Sequence, residues 1–189
     1  TSMWDNSWAA DMKDGSKVFC YFGCPWFIGS MQGNGATDGN WGAVTGPTSY
    51  HWGGTYVCVG KDTKNPELAA FLLYELTCDP DVGVEITNKT GDCVNNKEAN
   101  ARLIAGELSA DNAAAKFLGG QNPFKYFAPV AENIKIAPLS AYDQGCVELI
   151  QNSFSDYFQG KVTYDKAKKN FETAIKERYA DVKKVNWAK

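Results

Sequence analysis

Residues 50–77, YHWGGTYVCVGKDTKNPELAAFLLYELT, constrain the fold of this chain more than any other stretch. A Trp-Gly-Gly step (Trp52, Gly53, Gly54) leads into a short apolar run, then a polar turn, then a helix with a clear start. Asn65 is placed to cap that helix, and Pro66 suits its first turn, where a missing N–H leaves nothing unpaired. Leu68, Ala69, Leu72, Leu73 and Leu76 then recur at helical spacing. An indole beside two glycines, held by a strand and a packed helix, suits a flat apolar ligand face such as that of a sugar ring.

The rest of the chain reads as short strands alternating with helices. Residues 18–22 and 55–59 are β-rich runs bounded by glycines. Residues 29–40, rich in Gly, Asn and Thr, read as a surface loop. Asp79-Pro80 starts a helix to about Thr87, and Asn96 caps one to Ala105, stopped by Gly106. Ser109 begins another, stopped by Gly119-Gly120, and residues 124–133 are helical. Ser140 caps the penultimate helix, whose apolar positions are Val147, Leu149, Ile150, Phe154 and Phe158, and Gly160 ends it. Thr163 caps the last helix, with a core stripe of Tyr164, Ala167, Phe171, Ala174 and Ile175.

Several loose motifs stand in one order along nearly the whole chain. They are KDGSKVFCYFGCPWFI from Lys13, NWGAVTGP from Asn40, and the helix opening at residues 62–69. The helix entered at residues 140–157 and the turn into the last helix at residues 160–179 complete the series. In this order the chain resembles the extracellular solute-binding proteins of ABC sugar transporters, family 1, the maltose-binding-protein-like group. The resemblance implies an α/β fold of the periplasmic-binding-protein-like type II kind, with this chain as its C-terminal portion, built of short strands and several packed helices. It also implies that residues of about 1–50 and 97–189 belong to the second lobe, while about 51–96 cross the hinge to the first. No export signal or lipidation cysteine stands near Thr1, as expected of the latter half of a longer, two-lobed protein. Leftover first-lobe faces would then be covered by self-association or strand exchange.

The function implied is capture of a sugar or oligosaccharide outside the cell and its delivery to ABC permease membrane subunits. The full-length protein would be extracellular or periplasmic, anchored as a lipoprotein. A sugar is held by a ring against its C–H face and by amides and carboxylates on its hydroxyls. By the resemblance, Trp26 occupies the Pro-Trp position whose indole stacks on ligand; otherwise it is a core plug. Trp52, Gly53 and Gly54 would bring a ring and close backbone N–H groups to the ligand, or simply make a bend. Trp41 and Tyr50 flank the same loop as secondary contacts. Tyr142, Asp143 and Gln144 open the helix that faces the cleft in such proteins, and Asp143 is equally placed to be a plain cap. Trp4 and Trp8 read as covers for an apolar patch, and Trp187 receives no role.

Composition narrows the alternatives. Net charge is −3, which speaks against nucleic acid as a partner. Six Trp, nine Tyr and ten Phe, several beside Gly, Asn or Pro, favour rings in a cleft or on the surface. No apolar run reaches the roughly 20 residues of a membrane span. Of six cysteines, Cys78 and Cys93 flank a short segment and are the pair expected to join in a disulfide if any does. The single histidine, His51, precludes a cluster of His metal ligands, and no nucleophile elbow, phosphate loop or dinucleotide fingerprint occurs. No cofactor is implied, and the chain reads as a binding protein rather than an enzyme. A stand-alone carbohydrate-binding module is the first alternative, and a glycosidase with paired carboxylates the second. Asn88-Lys89-Thr90 matches an N-glycosylation sequon.

Overall fold

The structure is a computed structural model and describes residues 4–135 and 139–187. The chain divides into two compact units, Thr1–Lys135 and Ile136–Lys189. That division falls inside the region that the resemblance assigns to a single lobe. The first unit holds α1 (Asn6–Ala10), α2 (Phe27–Gly33), α3 (Pro66–Thr77), α4 (Pro80–Thr90), α5 (Lys97–Arg102), α6 (Ala113–Phe117) and α7 (Phe124–Glu132). A π-helical turn, Leu103–Glu107, extends α5. The second unit holds α8 (Asp143–Phe158) and α9 (Tyr164–Arg178).

The expected α/β fold is corrected by this architecture, because the regular structure of the described residues is all helical, without a strand or bridge. Residues 18–22 and 55–59 carry no regular secondary structure, and among the described residues no backbone hydrogen bond joins either run to another segment. A β-branched, glycine-bounded run becomes a strand only where a neighbour supplies the other half of the ladder. Here Phe19 is 95% exposed and Tyr56 83% exposed, so side-chain burial does not compensate. The loop expected at residues 29–40 is corrected too, since α2 occupies its first part. Phe27, Ile28 and Met31 of that helix are buried, which offsets the low helix propensity of Gly29.

Helix starts follow cap chemistry. Asp79 accepts from the N–H groups of Asp81 and Val82, Asn96 from Ala99, and Thr163 from Lys166. Asn65 makes no such bond, and α3 starts on Pro66 without a side-chain cap. The residue that caps α6 is Asn112 rather than Ser109. Its fully buried amide accepts from Ala115 N–H at 3.0 Å and donates to the Thr87 carbonyl at 2.9 Å. One side chain thus closes the first turn of α6 and the last turn of α4. Asn122 acts similarly, donating to the Leu103 carbonyl of the π-helical turn and accepting from Phe124 N–H.

Two apolar clusters form the first unit's interior. Met12, Phe27, Ile28, Met31 and Ala36 pack with Ala114, Phe117 and Leu118, joining α2 to α6. Val84, Ala99, Leu103 and Phe124 join α4, α5 and α7. Helix α3 contributes to neither, and none of its residues is buried. Its expected apolar stripe is therefore present in sequence but largely uncovered, with Leu68, Leu72 and Leu76 each about half exposed.

The second unit is a helical hairpin whose core is Phe154, Ala167, Phe171 and Ile175. Trp187 packs against Phe171 and Phe154 and donates its indole N–H to Glu172 at 2.8 Å. Gly145 is required by the Tyr179 hydroxyl, which lies where a Cβ would stand. Val147 and Phe158, read as core positions of α8, are exposed.

All six cysteines are free thiols, so the expected Cys78–Cys93 pairing is corrected as well. Cys78 is exposed at the end of α3, beside the Thr77 hydroxyl. Cys93 turns its Sγ toward the Val94 carbonyl and Asn100 Oδ1 and packs against the second cluster. Burial pushes its thiol up to about 12, with the Asp92 carboxylate adding to the effect. Thiolate is the reactive form. Brief alkylation of the folded protein at pH 8, read by peptide mass spectrometry, is therefore expected to label Cys20, Cys58 and Cys78, which are exposed, well ahead of Cys93.

The Asn112 bridge and the neighbouring Thr87 hydroxyl, which is buried without a partner among the described residues, make opposite predictions. Asn112→Ala removes the α6 cap and leaves Ala115 N–H without its partner, while the Thr87 carbonyl keeps its bond from Gly91 N–H, and it should cost about 2 kcal/mol in denaturant unfolding. Thr87→Val keeps the shape and removes an unpaired hydroxyl, so it should be neutral or stabilising.

Candidate functional site: a tryptophan cluster

The sequence places Trp26 just after a Cys-Pro turn and Trp52 just before two glycines, 26 residues on. The structure brings them together. The Trp52 carbonyl accepts from the indole N–H of Trp26 at 3.3 Å and faces the Cys24 thiol at 3.4 Å. Their rings meet edge to face at 5.0 Å between centroids, a favoured aromatic geometry. Burial raises the Cys24 thiol, and its contact with the Trp52 carbonyl opposes that shift. Gly53 and Gly54 follow at φ 71° and 142°, a conformation that other residues adopt only with strain.

Tyr50 belongs to the same corner. Its hydroxyl donates to the Gly23 carbonyl at 3.1 Å, and burial raises its phenol above the usual range. A second tie, from Ala43 N–H to Gln121 Oε1 at 2.7 Å, holds the preceding segment against the loop before α7. Trp41 lies further along the ring network. It packs on Tyr21, which in turn contacts Trp8 and Phe27, and so it reaches Trp26 only through other rings.

The residue that sequence reading undervalued is Trp4. Its ring stands 6.0 Å from Trp26 with the planes 15° apart, 6.1 Å from Trp52 and 5.1 Å from Trp8. It remains 61% exposed and is the outermost ring of the cluster. A signal was present: Trp4 precedes Asp5 at the start of α1, and Trp8 follows one turn later, a spacing that brings such a pair together across a helix start. Trp8, by contrast, is partly buried against the first core cluster, as its reading as a cover implies.

Tyr142, Asp143 and Gln144 lie in the other unit, at the start of α8. Their polar groups are engaged locally. Tyr142 donates to Asp181, and its phenol is held above the usual range by that carboxylate. Asp143 accepts from the Ser140 hydroxyl at 2.6 Å and the Ser140 N–H at 3.0 Å, and these bonds hold its carboxyl below the usual range. Gln144 donates to Glu148 at 3.2 Å. Their geometry is that of a helix start.

The cluster offers a tiered apolar platform whose indoles touch one another and leave the outer face of Trp4 open. Such a surface stacks on flat, C–H-rich ligands. Among the described residues no group of His, Cys, Asp or Glu is placed to hold a metal ion, and no helix is long and apolar enough to cross a membrane. Compared with protein-family models, curated proteins and solved structures, the chain matches none.

Proposed function

We propose that the Trp4–Trp26–Trp52 cluster is a carbohydrate-binding face, and that the chain serves as the solute-capturing component of an ABC sugar transporter, working outside the cell. One observation carries the binding half of this reading: three indoles from distant points of the chain converge into one platform with its outermost ring exposed. A fully structural tryptophan buries its ring and finds its N–H a partner. Trp26 finds its N–H a partner but is only partly buried, and Trp4 is 61% exposed. The transport half is supported by the motif order along residues 13–179 and its resemblance to sugar-transporter binding proteins. A sugar would stack on the open indole face, and delivery would be to permease membrane subunits.

A single open face supplies modest affinity, roughly millimolar or about −4 kcal/mol. Titration calorimetry of the chain against a panel of mono- and oligosaccharides is the direct test. Trp4→Ala and Trp52→Ala should each weaken binding about tenfold, a loss of roughly 1.4 kcal/mol. Unchanged affinity in the double variant, or no binding to any sugar of the panel, overturns the proposal.

A further inference from the structure

A cavity of about 200 Å³ opens in the first unit against the cluster that joins α2 to α6. Phe27, Ile28, Met31, Phe117 and Leu118 line it and are buried, so they form its floor. Phe19, Phe22 and Val44 line it too and are largely exposed, so they stand at its mouth. Tyr21 and Trp41 pack on each other at 5.7 Å within the lining, and the volume is what remains with that contact made. Tyr126, Phe127 and Val130 of α7 contribute a further wall.

The chemistry of the lining sets what can enter. No charged side chain is among the lining residues. Three of the polar ones have their hydrogens committed to main-chain carbonyls: Tyr21 donates to Trp8, Cys24 to Trp52 and Tyr50 to Gly23. An occupant carrying a charge or several hydroxyls would give up its water for little in return. Water is poorly served there as well, since an enclosed water needs about 2–4 polar partners. A dry apolar cavity of about 150 Å³ is enough to take benzene, so this space is sized for one aromatic ring with a short substituent. Phe27, Trp41, Phe117 and Phe127 offer ring edges and faces, which favour an aromatic occupant over a saturated one beyond the area buried.

We propose that this cavity binds a small uncharged aromatic molecule, a single ring of about six to ten non-hydrogen atoms in all, at a site separate from the open face of Trp4. The ring rests on Ile28, Met31 and Leu118, and a substituent points past Phe22 and Val44 to solvent. A ligand of this size binds at roughly 0.1–1 mM. Cys24 and Tyr50 belong both to the lining and to the Trp52 corner, so the two sites are neighbours.

Toluene titrated into the full chain, with methyl groups isotope-labelled and read by two-dimensional NMR, tests this directly. The methyl signals of Ile28, Met31 and Leu118 should shift and saturate together. Val130→Trp, at a half-buried position of α7, fills the space from its own wall and should weaken toluene about tenfold or more, with an unchanged circular dichroism spectrum verifying the fold. Val130→Ala leaves the space open and should bind toluene as the wild type does. Methylcyclohexane, of similar size but without a π face, should bind the wild type roughly threefold weaker or more, a comparison that needs no variant. The absence of any saturable shift, equal binding of toluene and methylcyclohexane, or undiminished binding by folded Val130→Trp overturns the proposal. So do shifts that climb without saturation and extend to Leu68 and Leu72, since these belong to the exposed side of α3 and report adsorption to open apolar surface. Toluene has no hydroxyl, so none of these outcomes bears on the sugar reading.

Discussion

The buried amide of Asn112 is the interaction on which the first unit depends. Helices α1, α2, α5 and α6 are too short to persist alone, since isolated helices below about 12–15 residues are marginal in water. Asn96 and Asn112 cap α5 and α6, and α2, α5 and α6 bury apolar side chains, while α1 is held by the partial burial of Trp8. Helix α4 brings Val84 to one cluster, while α6 brings Ala114 and Phe117 to the other. Asn112 bonds both helices through a single planar group. The Ala115 N–H that would otherwise be orphaned finds its acceptor there, the Thr87 carbonyl gains a second donor beside Gly91 N–H, and the two clusters are tied in one unit.

Ring contacts extend that interior outward. Phe27 is core, Trp8 and Tyr21 lean on it, Trp26 meets it edge to face, and Trp52 and Trp4 complete the sequence toward solvent. The platform is thus graded from buried to exposed. The Trp52 carbonyl, shared by Cys24 and Trp26, is the polar pin that keeps the far segment in place. Aromatic side chains lose little conformational freedom on ordering, which suits a face meant to meet a flat ligand.

Local chemistry was legible in the sequence, and long-range chemistry was not. Asp79, Asn96 and Thr163 cap their helices as residue type and spacing predict, because a cap involves only the next three residues. Ser109 and Asn112 are both competent caps, and the choice fell to Asn112 because its amide also reaches the Thr87 carbonyl, 25 residues away. Residues 18–22 and 55–59 have the composition of strands, yet pairing is decided by a neighbour that no local pattern specifies. Helix α2 was hidden by its glycines, and only the burial of Phe27, Ile28 and Met31 accounts for it. At the site, Trp26 and Trp52 were readable as candidate types, but their meeting through one carbonyl was not. Tyr142, Asp143 and Gln144 were read toward a ligand, whereas their groups are taken by Asp181, Ser140 and Glu148.

The tripeptide Asn88-Lys89-Thr90 shows what such long-range use of an amide entails. Asn88 Nδ2 donates to the Glu107 carbonyl at 2.9 Å, and its Oδ1 accepts from Ser109 N–H at 2.8 Å. The nitrogen that an oligosaccharyltransferase would modify is therefore the one that clamps the end of the π-helical turn to α4. In a eukaryotic secretory host, a glycan could be attached only while the chain is still unfolded, and it would take the place of that clamp. Glycan occupancy at Asn88 would then act as a timer, recording how long the nascent chain waited before these helices closed.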